Sequence, residues 1–478
     1  METDAYTIAI QLPVIVFSVV STSISTIIIP NYSKKYFGEG KKSAERYASN
    51  FITSISLITI FIVIICEIYA YPMMRFFAPG LDINTQELTV NLFRIVLPTI
   101  ILTELMNINM GILNVHKSFV LPALTSNILN ISFVGFVFAL ATKIGITAAI
   151  IGTTIGTCLE FLYTLILRRR YMKYKLYFNL KDEMMIKSIK MAVPVFIGIG
   201  ADEISKIVDK MISSFLIAGS ISALNYASKL SSAVSSLLIT GISTVIYPEF
   251  AKNAASDDKQ GLATTLVYSL KLYIIIIFPI IAGGMILSSD IISVVFQRGT
   301  FDELSVNRTA PLFSCYLVCL LFTAIRTASS RFFYAQGNSK TPMKNSVIGI
   351  AINIFLNIVL VRIFDALGLA LATTISMGII ALLIMIDAKK INQYICFRDL
   401  WIVTLKVVFA CILMVITLLG IKYFLPNLVQ VNRNGKLTDL LFVTLSVVFG
   451  GGVYFLALIL LKTSEVKDFI LQFRKKRS

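Results

Sequence analysis

Charged side chains set inside long apolar runs are the residues of this chain whose types and spacing could do chemistry. The densest group is Glu203, Lys206, Asp209 and Lys210. Glu203, Lys206 and Lys210 recur at i, i+3 and i+7 and so share one helix face, with Asp209 three residues beyond Lys206. An ionisable group inside a membrane span is costly and faces either a cavity or a partner. Two readings compete here: a salt-bridge ladder that neutralises itself, and the polar wall of a central cavity. Lys229 stands about eight residues into its run, too deep for easy snorkelling. It is read as a contact for an anionic cargo, against pairing with a carboxylate. Arg326 is read as a second such contact, Arg331 as an interfacial anchor, Arg94 as a snorkelling residue, and mid-run Glu104 as the partner of a cation. A second group carries oxygen ligands. Asn353 and Asn357 lie at i, i+4 on one face, and Thr373 follows beyond the turn near Leu367 and Gly368. With Asp209 they make one carboxylate, two amides and a hydroxyl, a set suited to a hard monovalent cation. Interhelical hydrogen bonding, worth about 1 kcal/mol per bond in membranes, is the alternative. Asp209 cannot serve fully both as that ligand and as the partner of Lys206.

The elements that hold these groups follow from hydropathy. Of 478 residues, 56% are hydrophobic and 14% charged, with mean hydropathy +0.82; soluble domains are about half apolar and about a quarter charged. Apolar stretches fall at about 5–29, 50–73, 88–113, 120–141, 144–167, 186–216, 221–247, 262–288, 309–335, 343–363, 366–388, 400–424 and 438–461. Each approaches the length of about 20 residues that crosses a bilayer as helix. The expectation is an all-α polytopic membrane protein of about 13 transmembrane helices; long apolar runs exclude an alternating outer-membrane barrel. The net charge of +17 sits between the runs, where it is a topology signal rather than a nucleic-acid footprint. Loops holding Lys34 to Arg46, Lys117, Arg168 to Lys181, Lys252, Lys340, Lys389 and Arg474 to Arg477 carry about threefold more basic residues than the alternate set. The positive-inside rule makes them cytoplasmic. That puts the C-terminus inside and Met1 outside. Residues 464–478 read as an amphipathic inner-leaflet helix or a plain basic anchor. Six cysteines without CxxC spacing read as packing residues, and the single histidine, His116, leaves no basis for a His-based metal site or a Ser-His-Asp triad. No enzyme chemistry and no cleaved signal peptide are expected.

The chain also repeats itself. Residues 24–34, ISTIIIPNYSK, resemble 242–252, ISTVIYPEFAK; Pro122 pairs with Pro342, and Thr153-Thr154-Ile155 with Thr373-Thr374-Ile375. An offset near 220 residues predicts two pseudo-symmetric lobes rather than an array. Expected divisions are an N-terminal lobe over 1–167 with five helices, a basic cytoplasmic linker over 168–185, a six-helix lobe over 186–390, and two extra helices with a basic tail over 391–478. Parallel repeats suit transporters that bind between lobes and rock to alternate access. On this reading the first lobe starts one helix late.

Several stretches carry a specific resemblance: DAYTIAIQLP (4–13), APG (78–80), GILNVHKSFVLPAL (111–124), VDKMISSFLIAGSISALNYASKL (208–230), FQRGTFD (296–302) and FFYAQGNSKTP (332–342). In this order, over nearly the whole chain, they resemble the MurJ/MviN lipid II flippases of the multidrug/oligosaccharidyl-lipid/polysaccharide exporter superfamily. The resemblance implies fourteen helices, the last two bordering a lipid-tail groove, and a first helix with an Arg-Asp motif that this chain does not carry. It implies arginine in many members where Lys229 stands; lysine keeps the charge without the bidentate fork. It implies a cargo of polyprenyl-pyrophosphate-linked saccharide, moved across the plasma membrane without enzymatic conversion. Candidate substrate-binding residues are then Lys229, Arg326, Lys206, Lys210, Glu203 and Asp4. It further implies a Na+ site, held by Asp209, Asn353, Asn357 and Thr373 with a backbone carbonyl near Leu369, and sodium or the membrane potential is the expected drive. Expected partners are membrane lipids and the cell-wall synthesis machinery, with no nucleic acid. A flippase for another lipid-linked oligosaccharide is the near alternative. A cation-coupled drug exporter predicts a carboxylate-rich cavity and fits the basic excess less well, and a non-transporting scaffold is a third class.

Overall fold

Backbone groups in lipid have no water to bond, so apolar runs must satisfy them internally, and helices do. The structure, a computed structural model, describes residues 2–116, 118, 124–429 and 436–462. Among these residues it contains helices and no strands. They pack as two compact units, Met1–Ile221 and Ser222–Ser478. The repeat boundary expected at 186 concerns duplication; the packing boundary falls later, because the helix beginning at Glu183 packs on the first helix of the chain.

The first unit holds α1 (Glu2–Glu39), α2 (Lys41–Ile68), α3 (Ala70–Phe77), α4 (Ile83–Val96), α5 (Thr99–Val115), α6 (Thr125–Ile144), α7 (Thr147–Arg169) and α8 (Glu183–Ser213). Among the described residues its core has two parts. One gathers Ala5, Leu12, Met74, Phe93 and Leu97; the other gathers Tyr32, Tyr47, Phe51, Ile112 and Met185. The helix α9 (Ser220–Ser235) leads into the second unit, followed by a π-helical turn (Ser236–Thr240), α10 (Gly241–Ala255), α11 (Lys259–Ile286), α12 (Ser288–Phe296), α13 (Glu303–Ala335), α14 (Lys340–Ile391), α15 (Arg398–Val429) and α16 (Lys436–Leu460). Its core centres on Ile274, Val407, Met414 and Tyr454.

Nine helices among the described residues are long and apolar enough to cross a membrane. One of them, α14, runs 52 residues and carries two of the expected spans, 343–363 and 366–388. The stretches expected at 5–29, 186–216 and 221–247 are helical in α1, α8 and α9 to α10. The tail at 464–478, with Lys117, Pro122 and Arg433, lies outside the described residues.

The repeat is visible in local geometry. Gly145, between α6 and α7, has φ 58° and ψ −138°; Asp365, inside α14, has φ 50° and ψ −131°. These positions are 220 residues apart, and the break at Asp365 is the counterpart of the α6–α7 turn. Thr154 Oγ1 donates to the Ile95 carbonyl (3.4 Å), and Thr374 Oγ1 donates to the Cys315 carbonyl (3.0 Å). Asp82 caps α4 by accepting the Thr85 N–H, and Asp302 caps α13 by accepting the Ser305 N–H. From 154 to 374, from 95 to 315 and from 82 to 302 the shift is again 220.

Candidate functional site

The α8 cluster is built on a capped helix. Asp182 accepts the N–H groups of Met184 and Met185, satisfying two donors that a helix start leaves open. About three turns from the far end, buried Glu203 accepts from Lys206 Nζ at 2.8 Å, while the Lys206 side chain keeps 57% exposure. The i, i+3 half of the expected ladder therefore forms. Asp209 and Lys210 follow, half-buried, on the next turn. Asp4 is buried in the same unit, where its Oδ2 accepts the Gly219 N–H at 2.7 Å. As placed, it ties the start of α1 to the turn after α8.

One other expectation in this unit is corrected: among the described residues Glu104 accepts the Ser21 hydroxyl (2.6 Å) and no cation. Arg94, expected to snorkel, keeps half its side chain exposed, and its Nε lies 3.8 Å from Glu67 Oε2. The motif residues here act through the backbone. A Cβ on Gly80 would come within 2.3 Å of the Ser214 carbonyl oxygen, so the APG stretch needs glycine for close approach. His116 belongs to an aromatic cluster that sequence reading missed. Its Nε2 is 3.2 Å from the Tyr32 hydroxyl, its ring stacks on Tyr171 at 4.6 Å, and Tyr36 meets it edge-on at 4.7 Å. The spacing of Tyr32 and Tyr36 at i, i+4 was the available signal.

In the second unit Lys229 is exposed on α9, beside fully buried Ala227. Arg326 on α13 is half-buried; its Nη2 donates to Ser346 Oγ at 2.8 Å and its Nη1 faces Met377 Sδ at 3.8 Å. Arg331 has partners within its own unit: its Nε donates to Ser243 Oγ (3.1 Å) and its guanidinium lies 4.8 Å over the Tyr247 ring. The FQRGTFD stretch forms an aromatic corner, with Tyr226 against Phe296 (4.9 Å) and Phe301 (5.4 Å).

The oxygen ligands of this unit come together. Asn357 Nδ2 donates to Asn353 Oδ1 (3.1 Å), Asn353 Nδ2 to Ser376 Oγ (3.3 Å), Ser376 Oγ to the Thr373 carbonyl (3.0 Å), and Thr373 Oγ1 to the Leu369 carbonyl (3.0 Å). Ser376 is a member that sequence reading missed. The interhelical hydrogen bonds of the alternative reading are thus present. Each acceptor oxygen has a second lone pair, so Asn353, Thr373 and Leu369 retain the neutral oxygen chemistry a monovalent cation needs. The carboxylate expected with them, Asp209, belongs to the first unit.

The second unit also encloses an apolar cavity of about 370 Å³ among α11, α12, α15 and α16, lined by Pro279, Gly284, Met414, Val447, Gly451 and Phe455. Tyr454 donates to the Ile275 carbonyl (2.6 Å) and so joins α16 to α11. One turn beyond Leu418, Lys422 Nζ lies 3.1 Å from Asp290 Oδ2 and 3.3 Å from the Ile286 carbonyl. Cys396 is exposed in the turn between α14 and α15, whereas Cys66, Cys319 and Cys411 are buried and Cys158 and Cys315 half-buried; all six thiols are unpaired.

Among the described residues, membrane-length helices in two related copies, with cationic side chains set among them, define a multi-pass helical membrane protein. An inward-facing multidrug resistance MATE family transporter of the MOP superfamily matches with TM-score 0.72 and 13% identity, over 82% of this chain and 91% of that chain, a likeness of fold alone. The chain belongs to the MurJ family: the family model described as lipid II flippase MurJ matches residues 1–433. A structure of lipid II flippase MurJ in an inward closed conformation matches with TM-score 0.80 and 28% identity, over 96% of this chain and 93% of that chain. Lipid II flippase MurJ of Thermosipho africanus is 31% identical over 390 residues, 81% of this chain and 79% of the relative. A "Probable lipid II flippase MurJ" of Rickettsia prowazekii is 26% identical over 426 residues, 88% of this chain and 84% of the relative. Family and helices together make this a multi-pass protein of the bacterial inner membrane.

Proposed function

We propose that this chain is a flippase for lipid II, carrying a polyprenyl-pyrophosphate-linked saccharide from the inner to the outer leaflet by alternating access. The observation that carries the reading is the family match over residues 1–433. The cargo is anionic, and each unit brings cations that offset the desolvation of a pyrophosphate, Lys206 and Lys210 in the first and Lys229 and Arg326 in the second; Glu203 and Asp4 hold the framework of the first unit. The apolar cavity beside α15 and α16 takes part of the lipid chain. Nothing in the cargo is made or broken, so the activity is transport rather than catalysis. Sodium is the coupling ion on this reading, with Asn353, Asn357, Thr373 and the Leu369 carbonyl of the second unit as its ligands. The C-terminus faces the cytoplasm, where the cell-wall synthesis machinery supplies the cargo.

The test is reconstitution of the full chain in sealed vesicles with labelled lipid II, scoring the fraction that moves between leaflets. Transport of lipid II, inhibited by unlabelled lipid II and accelerated by a sodium gradient, is expected. Movement of another lipid-linked oligosaccharide with lipid II excluded would overturn the cargo. Transport that ignores sodium would remove the ion from the scheme.

A further inference from the structure

The segment between α7 and α8 is not a slack linker. It lies along the first turns of α2 without helix or strand of its own, and six hydrogen bonds fasten it. Lys173 N–H donates to Glu45 Oε1 (3.0 Å) and Lys175 N–H to Ser49 Oγ (3.2 Å). Asn179 and Asn50 exchange two bonds, Asn50 Nδ2 to the Asn179 carbonyl and Asn179 N–H to Asn50 Oδ1, both 2.7 Å. The Tyr174 and Thr53 hydroxyls lie 3.0 Å apart, and Arg46 Nη2 donates to the Tyr177 hydroxyl (2.6 Å) while stacking 4.6 Å over its ring.

The face that this strap covers is informative. Asn50 and Thr53 lie on the same helical stripe of α2 as Leu57, Phe61, Ile64 and Ile68. The latter four are exposed apolar residues, the pattern of a lipid-facing stripe, whereas Ser49, Asn50 and Thr53 are buried. The strap therefore lies on the lipid-facing side of α2, one to three turns from where the apolar stripe begins. Leu176 (82% exposed), Phe178 (53%) and Leu180 (45%) form an exposed apolar row, whereas Tyr177 and Asn179 between them are half-buried against α2. Arg169, Arg170, Lys173, Lys175 and Lys181 surround it, all exposed. Of the neighbouring carboxylates, Glu45 and Asp182 accept backbone N–H groups, and Glu183 is exposed at the helix start; the five cations outnumber them.

We propose that residues 173–181 are a preformed docking strap for anionic phospholipid of the inner leaflet. Leu176, Phe178 and Leu180 enter the headgroup boundary, and the surrounding lysines and arginines take the lipid phosphates. The partner follows from charge complementarity and depth: a basic, apolar-tipped surface lies where the α2 apolar stripe meets the anionic cytoplasmic leaflet. The inference rests on the orientation that puts the basic loops inside.

The test uses the full chain with Trp401→Phe and either Phe178→Trp or Leu176→Trp, so that one tryptophan reports from the row. The protein is reconstituted in phosphatidylcholine vesicles containing phosphatidylglycerol, with one lipid or the other brominated. Blue-shifted emission, quenched more by brominated phosphatidylglycerol than by an equal amount of brominated phosphatidylcholine, is expected. Each basic residue near an anionic surface is worth about fivefold in lipid association. Replacing Lys173, Lys175 and Lys181 by Gln should abolish the preference while leaving the fold, because their backbone N–H groups and not their side chains make the fastenings. Water-like emission insensitive to both brominated lipids overturns the docking, and a protein partner then becomes the occupant to seek. Equal quenching by both overturns the anionic specificity. Trypsin cleavage of the strap in inverted or right-side-out vesicles reads orientation separately. Cleavage from the periplasmic side sinks the orientation; cleavage from the cytoplasmic side without quenching sinks only the strap.

Discussion

Lys206 and Lys229 carry the same charge in different company. Lys206 shares its charge with Glu203 at 2.8 Å. Lys229 is exposed on α9, so its removal should act more on cargo than on fold. Lys229→Ala should lower the lipid II transport rate by about tenfold or more, the scale of one charge-assisted hydrogen bond. Lys229→Arg should retain it, and equal rates for Ala and wild type would dismiss the contact. His116 makes a different prediction. Its burial, and then the charge of Lys41, holds its pKa below the ordinary value. As pH falls, the unfolded chain takes up this proton before the folded one does. The stabilisation is therefore complete above about pH 6.5 and is lost as pH drops through the lower folded pKa. Melting curves in detergent should show this decline in wild type and a shallower one in His116→Phe; identical slopes would place the acid sensitivity elsewhere.

At the scale of elements, the paired breaks at Gly145 and Asp365 separate a comfortable conformation from a strained one. Glycine adopts φ near +58° freely, whereas an aspartate with φ 50° and ψ −131° is strained by about 1–3 kcal/mol. Asp365→Gly should raise stability by about 1 kcal/mol and Gly145→Ala should lower it by at least as much, read as opposite shifts in melting temperature. Gly451 tests the apolar cavity. Nothing lies within 4 Å of a Cβ added there, so Gly451→Leu should fill space without strain, leaving melting unchanged and slowing transport. Much of this level was legible in the sequence. Hydropathy located the helices, and the 220-residue offset foretold both the Thr154–Thr374 correspondence and the division of α14 into two spans. Side-chain partners were less legible, because helical rotation and crossing decide them. Glu104 looked like half of an ion pair, yet it meets the Ser21 hydroxyl from another helix. Nothing in the sequence near Arg331 named Ser243 and Tyr247 on α10 as its partners. The strap carried a readable signal, the alternation of Leu176, Phe178 and Leu180, which the surrounding basic charge masked by reading as topology alone.

At the scale of the whole molecule, the chain is a duplicated bundle whose copies keep their caps and interhelical bonds but differ in their charged residues. Lys229 stands where the first copy has Gln11, and Asp365 where it has Gly145. The backbone plan is thus common to both copies, while the chemistry proposed for cargo and ion draws on residues that one copy lacks. Orientation belongs to this scale, and the six unpaired thiols bear on it. Only Cys396 is exposed, in the turn that joins α14 to α15. The wild-type chain thus carries its own address label. A membrane-impermeant maleimide should tag that single sulfur from the cytoplasmic side of sealed vesicles and leave it untouched from the other. Sidedness, and any change in the accessibility of this turn during transport, can therefore be followed on the native polypeptide without first stripping it of cysteine.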